Sequence, residues 1–154
     1  MRSLVTGRTL AGLVALVGCA LPAARALGFV RGASRTQYND YWQMIDDLLA
    51  GDGTLRWSGL LVARNQHPVV VPKAIYWLNV LAAHGDNRTL GIVVVAIVAL
   101  QVVALGVLAR RTPGLGRWPR VSLVVTAAVL LYARAGAWSF VKAMSGTAWL
   151  TANL

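Results

Sequence analysis

The chain has 154 residues, of which 57% are hydrophobic and only 13% charged, with a mean hydropathy of +0.61; a soluble domain carries roughly 25% charged residues. This balance excludes a disordered or collagen-like chain, and a single cysteine, Cys19, excludes a disulfide scaffold. The net charge of +10 comes from basic residues that punctuate apolar runs rather than forming a stripe, so the expected partner is a lipid bilayer and not nucleic acid.

The first apolar run covers about residues 9–30 and follows Arg2 and Arg8. About 20 helical residues cross a hydrocarbon core of ~30 Å. The run is long enough, and Arg25 near its far end can extend its charge to the interface. A cleaved signal peptide is the competing reading, with Ala24-Arg25-Ala26 as the cleavage site. Against it stand the arginine inside that site and the apolar character that continues to Val30.

Residues 31–88 hold every acid in the chain: Asp40, Asp46, Asp47, Asp52 and Asp86. Two short helices are expected there. Asn39 or Asp40 can cap the first, which runs to Ala50 and stops at Gly51. Trp42, Ile45 and Leu49 share one face, and Asp40, Gln43 and Asp47 another, so the helix can lie on a membrane surface with its carboxylates toward water. A polar cluster, Arg64-Asn65-Gln66-His67-Pro68, follows. The second helix begins at Pro72, suited to a first turn, and ends at His84 before Gly85. Tyr76 and Trp77 suit an interfacial belt.

A second span is expected over 89–109, uncharged with one amide, Gln101. The loop 110–120 carries Arg110, Arg111, Arg117 and Arg120 and no acid. A third span is expected over 121–141, and 147–154 reads as the start of a fourth. Basic loops favour the cytoplasmic side. The amino terminus and the loop 110–120 are therefore expected inside, and 31–88 outside. The fold class expected is all-α, polytopic and transmembrane, with three spans, the start of a fourth, and an external loop carrying two short amphipathic interfacial helices.

With no glutamate, two histidines and one cysteine, the sequence contains no zinc motif, and it lacks a phosphate loop or dinucleotide fingerprint. No metal and no cofactor is expected. The polar groups of the external segment are the only candidates for a site. Each also has a plain reading: Asp40 as a helix cap, Asp46 and Asp47 as a solvated face, and His67 as a loop histidine. Asn87-Arg88-Thr89 matches a glycosylation acceptor, a match common by chance beside a membrane.

Asn39-Asp40-Tyr41-Trp42, Asn65-Gln66-His67-Pro68, Val71-Pro72-Lys73 with Tyr76, and Gly85-Asp86-Asn87-Arg88 together resemble a first external loop. It is that of large bacterial polytopic membrane proteins related to C-type-fold glycosyltransferases, which use polyprenyl-phosphate-linked sugars. The stretch from Gly136 through Trp138 and Trp149 to Asn153 is similar to the start of a later span in the same proteins. The sequence departs from the pattern at Gln66 and Pro68, where relatives often carry Glu and Arg. Family members have many more spans, so the chain is expected to be an amino-terminal portion.

The resemblance implies an aspartate acting as general base on an acceptor hydroxyl, with a lipid phosphate as leaving group. By position Asp40 is the candidate base, with Asp46 and Asp47 as second choices. Arg64, His67 and Lys73 are the candidate substrate-binding residues, the cations for the lipid phosphate. The implied donor is a polyprenyl-phosphate sugar. The implied location is a bacterial plasma membrane, multi-pass, with the amino terminus in the cytoplasm. The alternative is a small non-enzymatic membrane protein, an assembly subunit or transporter fragment; a third is an external module released by signal cleavage.

Overall fold

The computed structural model describes residues 2–63, 69–133, 139–140, 142–143 and 147. The elements are α1 (Arg2–Gly32), α2 (Asn39–Leu48), α3 (Trp57–Leu61), α4 (Val70–Ala83), α5 (Asn87–Arg111) and α6 (Arg117–Leu131). Among the described residues there is no strand, and one isolated bridge joins Leu49 to Leu55.

Two of these helices are long and apolar enough to cross a membrane, over Gly7–Gly32 and Asn87–Arg111. Each outruns the expected span, because the polar residues at the ends continue the helix beyond the apolar run. The 15 residues of α6 measure about 22 Å, less than the ~30 Å hydrocarbon core. It starts at Arg117, one turn before the expected third span. Residues 134–138 and 141 of that span, and 148–154 of the expected fourth, lie outside the described residues.

α1, α5 and α6 pack as a bundle whose directions follow from its contacts. Gly7 meets Arg117 and Gly18 meets Val125, so α1 and α6 run parallel. Val30 meets Gly91, and the Tyr132 hydroxyl donates to the Val95 carbonyl at 2.9 Å, so α5 is antiparallel to both. Two glycines set the approach. A Cβ on Gly18 would lie 2.8 Å from the Val125 methyls, and one on Gly91 would lie 2.9 Å from Val30. Small residues at such crossings let membrane helices touch closely.

The outer faces are apolar. Leu10, Leu16 and Leu21 on α1, and Ile92, Leu100 and Leu108 on α5, are exposed. The most apolar stretch of α1 is 11% buried and that of α5 is 33% buried. The core helix of a soluble protein would be mostly buried, so these faces are consistent with a membrane protein.

The short helices α2, α3 and α4 form a module at one end of the bundle. Its core holds Tyr41, Ile45, Leu48 and Tyr76. Several details depart from the sequence reading. The buried face of α2 is Tyr41-Ile45-Leu48, while Trp42 is half exposed, so the face is rotated from the expected Trp42-Ile45-Leu49. Tyr38 occupies the N-cap position without a side-chain cap, rather than Asn39 or Asp40. The helix ends at Leu48, because Leu49 turns extended and pairs with Leu55. The chain turns over residues 51–53, with Gly53 at φ 81° in the left-handed region. α3 is an additional helix. Tyr76 is fully buried and tilted against Tyr41, with ring centroids 5.5 Å apart, instead of belonging to an interfacial belt.

Polar contacts weld this module to the bundle. The Asn87 amide nitrogen donates to the Ser34 carbonyl at 3.0 Å, and its backbone N–H donates to the Arg35 carbonyl at 2.9 Å. Arg88 Nε donates to the Ala33 carbonyl at 2.8 Å. The first turn of α5 thus satisfies the carbonyls that follow the end of α1. Asn87 is fully buried with its amide nitrogen engaged, so the glycosylation match is a packing residue in this fold.

Candidate functional site

All five acids lie at the end of the bundle that carries α2–α4. The opposite end holds the start of α1, the end of α5 and the start of α6, with Arg8, Arg110, Arg111, Arg117 and Arg120 and no acid. The segregation of charge expected from sequence is therefore a feature of the folded chain.

The acids serve different ends. Asp86 is the N-cap of α5, accepting from the Arg88 N–H at 2.7 Å, and it lies 3.7 Å from Arg35. Asp52 accepts from the Thr54 N–H at 3.0 Å and from its hydroxyl at 2.7 Å. These two bonds hold the Asp52 carboxyl below its ordinary value. Asp47 is half-buried and pairs with Lys73 at 3.3 Å. Asp40, in the first turn of α2, and Asp46 are exposed, and no hydrogen bond or ion pair engages either among the described residues. Asp40 and Asp47 lie on one stripe two turns apart, roughly 10 Å along the axis, while Asp46 points about a third of a turn away.

Lys73 is the least expected of the candidates in its placement. It sits in the apolar first half of α4 with 0% of its surface exposed. Its ammonium donates to the Gly59 carbonyl at 2.7 Å, the Val62 carbonyl at 2.9 Å and Asp47 at 3.3 Å. An ammonium has three donors, and here each has a protein acceptor. The side chain thus joins α2, α3 and α4 from inside. Arg64 and His67 lie outside the described residues, as do Gln66 and Pro68.

A second polar hub, unmarked by any motif, is Asn79. Its amide oxygen accepts from the Tyr41 hydroxyl at 2.8 Å and from Gln37 at 3.4 Å, and its amide nitrogen donates to the Asp86 carbonyl at 3.1 Å. It connects the segment before α2, α2 itself, α4 and the cap of α5. Burial raises the ionisation of Tyr41 and of Tyr76 well above the ordinary tyrosine range.

The exposed surface of the module is apolar on α3 and α4, at Trp57, Leu61, Val71, Leu78 and Leu81. Trp57 and Trp77 approach with centroids 6.3 Å apart. Among the described residues no three metal-binding side chains gather. Comparison with protein-family models, with curated proteins and with solved structures finds no match to this chain.

Proposed function

We propose that the chain is an integral membrane protein, multi-pass in a bacterial plasma membrane, with the α1–α5–α6 bundle in the bilayer. In this reading the arginine-bearing end faces the cytoplasm and the α2–α4 module lies on the external surface. The observation that carries it is the separation of charge along apolar helices: arginines without acids at one end, every acid at the other. The exposed apolar side chains of α3 and α4 then rest on the outer leaflet. The test is cysteine labelling with a membrane-impermeant maleimide in intact cells. Asp52→Cys in the exposed turn is expected to react and Pro113→Cys in the α5–α6 loop to be protected; the reverse pattern rejects the orientation.

Within that frame we propose that the chain is the amino-terminal part of a glycosyltransferase-like protein that takes a polyprenyl-phosphate sugar as donor. Asp47, Asp52 and Asp86 are engaged by protein groups, while Asp40 and Asp46 are exposed and uncommitted among the described residues; of these two Asp40, with Asp46 as the second, is the base of choice by its position soon after α1. It would take the proton of the acceptor hydroxyl, the oxygen would attack the anomeric carbon, and the lipid phosphate would leave. With Lys73 saturated by protein acceptors, the phosphate falls to Arg64, with His67 beside it in sequence. Asp40→Asn, in the full-length protein, is expected to abolish transfer and leave membrane insertion intact; undiminished transfer rejects the assignment. A second reading, a non-enzymatic assembly subunit, is favoured by the use of Lys73, Asn79 and Asp86 in fixing the module. It gains the case if the Asp40→Asn chain supports its assembly unchanged.

A further inference from the structure

Outside the acid-bearing module a groove runs between α1 and α6 at the arginine-bearing end. It has a volume of about 570 Å³ and is lined by Val14 of α1 and by Trp118, Pro119, Val121, Ser122, Val125 and Thr126 of α6. The lining is mostly aliphatic and aromatic. Its α6 side runs from Trp118 to Thr126, roughly 12 Å along the helix. Trp118 is about half exposed at the mouth. The neighbouring residue toward the helix start is Arg117, whose guanidinium lies against Gly7 of α1, 3.4 Å from where a Cβ would be. Arg8 follows directly on α1. On the other flank Arg120 donates to the Thr112 carbonyl at 3.2 Å, and its buried Nε has no partner among the described residues.

We propose that this groove binds an anionic phospholipid, with an acyl chain along Trp118–Thr126 and the phosphate held at the level of Arg117 and Arg8. This rests on the membrane reading above and adds to it a specific lipid site. Three features agree. The groove opens on the apolar outer surface of the bundle, where only lipid tails or another apolar helix could fill it. The lining itself is uncharged, and the helix starts beside it carry Arg8 and Arg117 without a single acid at that end, a charge that an anionic headgroup complements and a second basic end of the same chain does not. Tryptophan at the boundary between the apolar groove and the charged rim occupies the headgroup depth that its amphipathic ring favours. Guanidinium groups bind phosphate with two parallel N–H donors, so the site discriminates by charge and by geometry.

The full chain, reconstituted in phosphatidylcholine vesicles that contain a minority of dibrominated lipid, tests this directly. Bromine quenches tryptophan at contact, and the difference between the chain and its Trp118→Phe variant isolates the signal of Trp118. Quenching of Trp118 by dibrominated phosphatidylglycerol is expected to exceed that by dibrominated phosphatidylcholine about five-fold for each arginine engaged, the worth of one basic residue at an anionic surface. Arg117→Gln with Arg8→Gln is expected to bring the ratio to parity, while Arg56→Gln in the opposite module leaves it unchanged. Equal quenching by both lipids in the unaltered chain overturns the site, as does a preference that survives loss of Arg117 and Arg8. Relief of the quenching by inorganic phosphate overturns it too, since that marks a free-anion site. If no tryptophan is quenched by either lipid, the chain does not insert, and the membrane reading falls together with the site.

Discussion

Replacing Lys73 by methionine removes one charge from the centre of the α2–α4 module while nearly preserving its volume, so the packing loss is small. The polar loss is not. The carbonyl of Gly59, a buried residue, loses its donor at 2.7 Å and keeps only the 3.3 Å bond from the Val62 N–H; losing one hydrogen bond to a charged donor there costs about 1 kcal/mol. The carbonyl of Val62, an exposed residue, recovers water and contributes little. Asp47 keeps 20% of its side-chain surface in contact with solvent, so its desolvated charge costs less than the ~3–5 kcal/mol of a fully buried broken pair. The sum is about 2 kcal/mol for opening the module, or roughly a thirty-fold rise in its open population.

The assay is limited trypsin digestion of the intact chain in detergent, read at Arg56, which is exposed between α2 and α3. In the fast-reclosing regime the cleavage rate follows the open population. Asp47→Asn, which keeps an acceptor oxygen for the ammonium, is expected to cost only about 1 kcal/mol. A Lys73→Met chain cleaved no faster than the parent would refute the reasoning. It would show that the module is held by apolar burial alone, as when a buried ion pair is dispensable. Equal effects of the two variants would place the energy in the ion pair rather than in the carbonyls.

Why the module was only half legible in the sequence follows from Lys73 itself. The long helices were readable because apolar length and flanking arginines are local properties: α1 and α5 contain the two long apolar stretches and continue through the arginines that flank them. Of the two short helices, α4 was visible from its punctuation, since Pro72 sits in its first turn and His84-Gly85 in its left-handed end, whereas the caps of α2 were not. What no local signal supplied was the face of α2. Trp42 and Tyr41 are neighbours of similar size, and the choice between them is made by Tyr76 and Asn79, which lie 35 and 38 residues away. A lone lysine inside an apolar helix such as Val70–Ala83 was a usable sign of a buried pair. Its partner on α2 and the carbonyls of α3 depend on the turn at Ala50–Thr54, which brings α3 back toward α2 through the Leu48 and Asp47 backbone. For the site, the gathering of acids was readable. Their division into committed carboxylates and free ones required the contacts.

The remaining expectations follow from the same contacts. Gly59→Ala places a methyl on the Asp47 carbonyl, a backbone atom that cannot turn aside, so the module is expected to lose at least 2 kcal/mol, about what overpacking costs, with faster cleavage at Arg56. His84 is a non-glycine residue at φ 51°. His84→Gly is expected to be neutral or to gain about 0.5 kcal/mol in thermal unfolding, and His84→Val to lose roughly 1–2 kcal/mol, the cost of a branched side chain in that region. The Asp52 carboxyl is depressed below 3.8 by its bonds to Thr54. Its stabilising contribution is therefore complete above that pH and lost as the pH falls through the lower folded value; Thr54→Val should return the carboxyl toward 3.8, as read by NMR titration. Asn79→Ala leaves the Tyr41 hydroxyl with only its 3.4 Å bond to the Tyr76 carbonyl and the Asp86 carbonyl with only the 3.3 Å bond from the Leu90 N–H, and is expected to cost about 2 kcal/mol, against about 1 kcal/mol for Tyr41→Phe. Because both changes break the same 2.8 Å bond, the double variant should fall short of the sum by at least ~0.5 kcal/mol. Strict additivity would mean that Asn79 acts on the cap of α5 alone, and that the link between α2 and α4 is carried by the tyrosine rings rather than by the hydrogen bond.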